Sequence, residues 1–594
     1  MKRIFKTSRS NRIEPVLRSS TRPSHQDKRP VVACDPDRTD GTFKQAIEMG
    51  RTRLLITGTV IALGFGVIGL RLIDVGALQT PREPRSFAAV SATTIKKERA
   101  DILDRNGQLL ATSLKAVSLS ANPSKIMNPQ EVAVKLAAIL PEQTTDELAH
   151  KLSADRKFVW IERRLTPQQH WEVNRLGIPG LEFRNTETRI YPQGPLMGHV
   201  LGYTDIDNRG LAGVEKSFDT ALRSSVEPLK LTVDMRIQYI MREELGAAIV
   251  EYSALGGAGI VLDATNGEVI SMVSLPDFDP NHAGSADGEA KFNRATLGVY
   301  ELGSTFKIFN TALALETGVS TMKSGYDASQ PIKIARFSIR DYHAKNRILS
   351  VPEIFIYSSN IGSALMAQEV GPVAQKAFMK YMGFLDQLNL EIPEVGTPQY
   401  PSIWRPINTM TIAFGHGLSV SPMHLASGVA TMVNGGVRHD PTLIKTDVPR
   451  KGKRGISPKT STTIRKLMRL NNIEGSGKGS DAKGYLVGGK TGTAEKAGGS
   501  AGYKRKALIS SYVAAFPMND PKYVVYVVLD EPQGTKKTFG YATGGWVAAP
   551  VIKNVINRIA PIVGVMPVDD QSPEIRQELA IELPRNGGKT LASF

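Results

Sequence analysis

Ser304-Thr305-Phe306-Lys307 sets a hydroxyl and an amine three residues apart. The run that follows, Ile308, Phe309, Ala312, Leu313 and Leu315, then Gly318, has helical spacing and a stop. Positions i and i+3 share a helix face, so Lys307 can reach the Ser304 hydroxyl. A serine hydroxyl is a weak nucleophile until a neighbouring base takes its proton. A free lysine, with a pKa of about 10.4, is protonated and cannot be that base. Desolvation beside a second cation would make it neutral and competent. A helix start also aims backbone N–H groups at a developing oxyanion. The chemistry implied is acyl transfer through a covalent serine intermediate. The spacing alone is not specific, because Ser480-Asp481-Ala482-Lys483 repeats it among glycines with no helix after it.

Two further groups suit such a reaction. Ser358-Ser359-Asn360 offers a hydroxyl and a carboxamide two apart, able to relay a proton and hold a peptide amide. The same residue types also cap helices, and Ser120-Ala121-Asn122 has the same form. Lys490-Thr491-Gly492-Thr493 follows the flat run Val487-Gly488-Gly489 and precedes strand-like sequence. Glycine inside a strand pattern marks close approach of a backbone or ligand. The lysine and threonine hydroxyls beside it suit a carboxylate.

In this order the three groups resemble the Ser-x-x-Lys, Ser-x-Asn and Lys-Thr-Gly set of penicillin-binding proteins and serine β-lactamases. Residues Arg99 to Gly107, Tyr191-Pro192 to Tyr203, and Gly213-Val214-Glu215 resemble the pedestal of the class B penicillin-binding proteins. The resemblance covers roughly residues 50–560. It implies that Ser304 attacks the carbonyl between two D-alanines of a peptidoglycan stem peptide, with Lys307 as base. Ser358 would pass a proton and Lys490 would tune the electrostatics. Asn360 would bind the donor's amide. Thr491, Gly492 and Thr493 would form the substrate-binding strand, the threonines holding the terminal carboxylate. The backbone N–H groups of Ser304 and Thr493 would form the oxyanion hole. β-Lactams would mimic the donor. The tail and the run at 415–422 resemble the septal division enzyme more than the elongation enzyme. The partners implied are a membrane glycosyltransferase of the shape, elongation and division family and other divisome proteins. The alternatives are an elongation-specific transpeptidase and a non-catalytic sensor or scaffold. The motif set, the short tail and the one apolar segment weigh against the last.

The elements that must position these residues follow from the rest of the chain. Gly259-Ile260-Val261-Leu262 and Glu268 to Val273 read as strands around an Asn266-Gly267 hairpin turn. Ser511 to Phe516 and Tyr523 to Leu529 are β-branched and aromatic, as strands are. Helical patterns lie between. The fold class expected is α/β (α+β), a penicillin-binding or β-lactamase-like transpeptidase domain with one mainly antiparallel sheet flanked by helices. Residues 79–98 read as a linker, and from Arg99 to about Glu227 the chain alternates short apolar runs with turns and reads as a non-catalytic module, which the resemblance implies is an elongated pedestal of the dimerisation type. The domains expected are a basic tail over 1–53, an anchor over 54–78, the pedestal over 79–228, the transpeptidase domain over 229–560 and a loose tail over 561–594.

Leu54 to Leu70 holds seventeen residues without a charge, which suits a single transmembrane helix. Residues 1–53 carry thirteen Lys/Arg and six Asp/Glu. The positive-inside rule puts that flank in the cytoplasm and the rest outside, and the resemblance implies a bacterial inner membrane with the catalytic domain in the periplasm. Val75-Gly76-Ala77 resembles a cleavage site, but the preceding region is too long for a signal peptide. The net charge of +17 is dispersed, without a basic stripe interleaved with aromatics, so nucleic acid is not an expected partner. Cys34 is the one cysteine, which excludes a disulfide framework. The nine histidines form no metal-binding spacing, and no metal or cofactor is expected. His416 is read as structural.

Overall fold

The computed structural model describes residues 41–73, 99–334, 337–497 and 503–581. The basic tail up to residue 40, Cys34, the expected linker and residues 582–594 lie outside them. Two compact units divide at residues 95 and 96. Of the first, one helix is described, Gly41–Ile73. Leu55, Ile61 and Phe65 on it are exposed. Among the described residues no helix is long and apolar enough to cross a membrane. The span expected over 54–78 is therefore not found as such. Residues 74–78 of that span lie outside the described residues.

In the second unit, five antiparallel strands form the main sheet, in the order Gly488–Ala497, Tyr503–Phe516, Tyr523–Asp530, Gly256–Asp263, Val269–Leu275. Strands from both ends of the domain sequence thus meet, as expected. Side chains alternate across a strand, and here both faces are buried. Tyr512, Ala514 and Phe516 enter one core with Val525 and Val527. Val513 and Ala515 enter the other with Val524 and Tyr526. This is why these strands read as unbroken apolar runs rather than alternating ones. The helices Met235–Glu251 and Ala549–Ile559 cover the first face through Ile237, Met241, Ile552 and Ile556. The helices Lys307–Glu316, Pro422–Val433 and Pro458–Glu474 cover the second through Phe309, Val429 and Leu467. At the expected hairpin, Gly267 has φ +80° and Glu268 N–H donates to Asn266 Oδ1 at 2.8 Å.

The pedestal is built on the long strand Leu109–Ala121, paired antiparallel with Val159–Leu165 and Leu181–Ile190. Three short helices close a separate small core around Leu119, Leu136, Leu148 and Ile161. Its base is continuous with the domain of the main sheet. Ile102 pairs in parallel with Leu229, and Ile102, Leu110, Val200 and Val214 share a core with the sheet helices. The expected boundary at 228 and 229 thus runs through packed side chains.

The chain end expected to be loose is partly packed. Val565 is buried against the first core, Val568 N–H donates to Gly484 O at 2.8 Å, and Pro573–Leu579 is helical.

The base of the pedestal holds a buried charge cluster. Arg99 Nε donates to Glu215 Oε2 at 2.6 Å and Arg189 Nε to Glu215 Oε1 at 2.7 Å. Arg99 Nη1 also donates to Asp219 Oδ1 at 2.6 Å. These contacts tie positions 99, 189 and 215, which are far apart in sequence. Removing one partner leaves the others charged and sealed, which costs about 3–5 kcal/mol. Glu215→Ala is expected to lower unfolding stability by about that amount, read by chemical denaturation of the detergent-solubilised chain. A change under about 1 kcal/mol would mean that water replaces the carboxylate.

Candidate active site

Ser304 sits in the tight turn Gly303–Phe306, one 3₁₀ stretch before the helix Lys307–Glu316. Gly303 has φ +57°, a conformation that favours glycine. The turn carries the serine and the helix start carries the lysine, so the expected i, i+3 pairing is realised. Lys307 Nζ lies 2.9 Å from Ser304 Oγ. It also lies 2.7 Å from Ser358 O, 3.0 Å from Ser358 Oγ and 2.7 Å from Asn360 Oδ1.

Those partners decide what the amine can do. A carbonyl and an amide oxygen accept only. A neutral amine has two hydrogens and one lone pair. The hydrogens go to Ser358 O and Asn360 Oδ1, which leaves the lone pair for a hydroxyl proton. Lys307 is buried, and its pKa falls well below 10.5, first by desolvation and then by the Lys490 charge, with Asp341 opposing. The amine is therefore placed and tuned to take the Ser304 proton.

Ser358 and Asn360 come to Lys307 through a helix corner. Helix Val351–Tyr357 ends on Ser358 at φ 55°, ψ 43°, and helix Asn360–Val370 begins two residues later. A non-glycine residue in the left-handed region costs of order 1 kcal/mol or more and is held there by its surroundings. Ser359 takes the capping role, accepting from Gly362 N at 3.0 Å. That frees Ser358 and Asn360 to face the lysine. Ser359 Oγ donates to Asp341 Oδ2 at 2.7 Å, and Ile361 N–H donates to Asp341 Oδ1 at 2.9 Å. Asp341 had no signal in the sequence, because it lies in an irregular loop with no motif around it.

Lys490 enters from the edge strand Gly488–Ala497, paired with Val513. Its Nζ donates to Ser358 Oγ at 3.0 Å and lies 3.4 Å from Thr491 Oγ1. Ser358 Oγ thus bridges two lysines. Burial pushes Lys490 down to about 7. The strand is anchored from behind, where Asn471 Nδ2 donates to Gly489 O at 2.8 Å. Thr491 Oγ1 lies 3.0 Å from Ser476 Oγ, and Thr493 Oγ1 accepts from Gly544 N–H at 3.1 Å.

All eight expected site residues lie on these elements. Ser304, Lys307, Ser358, Asn360 and Lys490 are linked by direct contacts, and Thr491, Gly492 and Thr493 continue the Lys490 strand. The two accidental matches lie elsewhere and are structural. Ser480 Oγ accepts from Asn472 and donates to Gly477 O, and Ser120 Oγ donates to Glu182 O. Among the described residues no cluster of His, Cys, Asp or Glu could hold a metal ion.

Fold and site together place a serine hydroxyl against a buried lysine, with a second buried lysine beyond Ser358, at the edge of an antiparallel sheet. The sequence matches the penicillin binding protein transpeptidase domain over residues 257–557 and the penicillin-binding protein dimerisation domain over residues 94–245. The chain belongs to the penicillin-binding proteins of class B. It is 37% identical over 488 residues to the probable peptidoglycan D,D-transpeptidase FtsI of Caulobacter vibrioides, covering 80% of this chain and 83% of that one. It is 28% identical over 555 residues to the peptidoglycan D,D-transpeptidase FtsI of Escherichia coli K12, covering 87% and 92%. In fold it is similar to a peptidoglycan synthetase from Bifidobacterium adolescentis, with a TM-score of 0.63 at 22% identity over 81% of this chain and 98% of that one.

Gly492 shows how little slack the site has. A Cβ there would lie 2.4 Å from Ser511 Oγ and 2.5 Å from Leu302 O. Leu302 immediately precedes the Ser304 turn, so a methyl group would push strand and turn apart. Gly492→Ala is expected to slow acylation of Ser304 by a β-lactam about 10²-fold, read by stopped-flow labelling. A rate within about threefold of the unmodified chain would show that the strand gives way without moving the nucleophile.

Proposed function

We propose that the chain is a peptidoglycan D,D-transpeptidase that cross-links stem peptides at the division septum through an acyl-enzyme on Ser304. The observation that carries this reading is the buried Lys307 amine, 2.9 Å from Ser304 Oγ and held by two groups that only accept, Ser358 O and Asn360 Oδ1. Ser304 Oγ attacks the D-alanyl-D-alanine carbonyl while Lys307 takes its proton. The N–H groups of Ser304 and Thr493 hold the oxyanion. Ser358 carries the proton toward the departing D-alanine nitrogen, and Lys490 supplies positive charge behind it. Asn360 has one amide hydrogen beyond the one given to Arg340 O, and it binds the donor backbone. Thr491 and Thr493, held apart by Gly492, receive the terminal carboxylate. An amine of a second stem peptide then takes the acyl group. A β-lactam presents the same carbonyl and stays on the serine.

The names of the relatives, D,D-transpeptidases both, support the substrate class and β-lactam binding. The septal role rests on resemblance in the tail and in residues 415–422. In this reading 1–53 is a cytoplasmic tail and 54–78 anchors the chain in the inner membrane. Residues 79–228 are a periplasmic pedestal and 229–560 the transpeptidase domain. A membrane glycosyltransferase of the shape, elongation and division family supplies the glycan, with other divisome proteins beside it.

Fluorescent penicillin is expected to form a covalent adduct on the peptide containing Ser304 in the unmodified chain and none in Ser304→Ala, read by peptide mass mapping. An adduct that survives the substitution would remove Ser304 as nucleophile. The lysine pair predicts a pH effect with a definite sign. Charge on Lys490 lowers the Lys307 pKa, so Lys490→Met raises it. The acid limb of the acylation rate, which needs neutral Lys307, is expected to move to higher pH. A limb that stays or moves down would exclude Lys307 as the titrating base.

A further inference from the structure

His416 takes no part in the three motifs, yet it is tied to the nucleophile's turn. Gly303 N–H donates to Gly415 O at 3.3 Å, and a Cβ on Gly415 would lie 2.0 Å from Gly303 O. His416 is the next residue along, half-buried between Phe414 and Tyr503, with ring centroids 5.4 and 5.8 Å away. Its Nδ1 is sealed and has no hydrogen-bond partner. Nε2 is not among the sealed unpaired atoms, and among the described residues it has no hydrogen-bond partner. The wall around the ring is built. Glu301 Oε1 accepts from Gly417 N–H at 2.8 Å, and Glu301 Oε2 accepts from Tyr503 OH at 2.9 Å.

The proposed reaction leaves one proton for which the three motifs offer no base within the site. The acceptor peptide brings a primary ammonium, R–NH₃⁺, which must lose two protons to become an amide nitrogen. After acylation Lys307 has passed the serine proton to the departing D-alanine, so it is neutral and can accept one. Ser358 and Asn360 are not bases. The Lys490 amine is fully buried and faces Ser358, so it does not meet an incoming amine directly.

We propose that His416 is the acceptor-side base, taking the first proton of the incoming ammonium at Nε2. The balance is as follows. R–NH₃⁺ and neutral imidazole give R–NH₂ and imidazolium. The amine forms the N–C bond to the acyl carbon as the C–Oγ bond to Ser304 breaks. The second N–H proton passes to Lys307 Nζ and on to Ser304 Oγ. The imidazolium returns its proton to solvent. The groups facing the ring are consistent with a neutral resting form. Burial lowers its pKa and Lys307 adds to that, while Glu301 and Glu495 oppose. This proposal rests on the acyl-enzyme reading above.

The test uses the full chain in detergent, acylated by a thioester acyl donor and offered two acceptors. D-Alanine is an ammonium at pH 7, and hydroxylamine is already neutral. In His416→Gln, transfer to D-alanine at pH 7 is expected to fall about 10²-fold, the contribution of a general base. Transfer to hydroxylamine is expected to hold within about twofold, because it has no first proton to lose. A parallel fall with both acceptors, or no fall with either, would overturn the proposal. If the variant does not take up penicillin and so has not folded, Glu301→Gln decides. Loss of that carboxylate lowers the imidazole pKa, so the acid limb of transfer to D-alanine is expected to move to lower pH. A limb that stays or rises overturns the proposal. Failure of penicillin to label Ser304 in the unmodified chain would instead overturn the transpeptidase reading itself.

Discussion

A lysine amine removed from water is an expensive group to fold around, and the site is organised to keep Lys307 in that state. Desolvation disfavours its charge, and a second buried lysine on the far side of Ser358 disfavours it further. Two obligate acceptors then fix the direction of its hydrogens. Remove either condition and the chemistry fails in a different way. A solvated amine holds its proton and cannot act as a base. A dry amine without Ser358 O and Asn360 Oδ1 could turn its lone pair away from the nucleophile.

Three chain segments must meet within a few ångströms to build this, and glycines set how closely they meet. Gly303 abuts the backbone of Thr493, Gly415 abuts Gly303, and Gly492 abuts Leu302. A side chain at any of these positions would separate the serine turn from the lysine strand or from the 415–417 loop. The site is therefore a contact between backbones, with the reactive side chains placed as a consequence. That is why the Lys490 strand lies at the sheet edge. An interior strand would be paired on both sides and would leave no open side for a substrate.

The meeting of Ser304 with Lys307 and the order of the other two motifs were legible because they depend on local spacing, which sequence records directly. The sheet was legible because strands buried on both faces leave long β-branched runs, as at 511–516 and 523–529. The supports were not. Asp341 holds Ser359 and the start of the next helix from an irregular loop, and a lone aspartate in a loop carries no periodicity. The division of labour within Ser358-Ser359-Asn360 was hidden too. A capping reading and a catalytic reading were both available, and the structure separates the residues, with Ser359 as the cap and its neighbours facing Lys307. The packing of residues 565–579 was missed because Pro, Asp and Gly read as loop whether or not the loop is docked.

The pedestal bears on the same problem from a distance. Two buried lysines and a strained Ser358 destabilise the domain, and something must hold the fold against them. The two-sided sheet does much of this, since the Tyr503–Phe516 strand contributes to both cores at once. The base of the pedestal extends the second of those cores, through Ile102, Val200 and Val214. The sealed Arg99, Arg189 and Glu215 cluster adds directional constraint there. A buried ion pair is weak evidence for net stability, but it permits few alternative arrangements. Its effect here is to fix how the segments around 99, 189 and 215 join. Parallel pairing of Ile102 with Leu229 then fixes where the transpeptidase fold begins. The catalytic edge strand and the pedestal base are thus ends of one packed body, and rigidity at one end helps hold the dry lysine at the other.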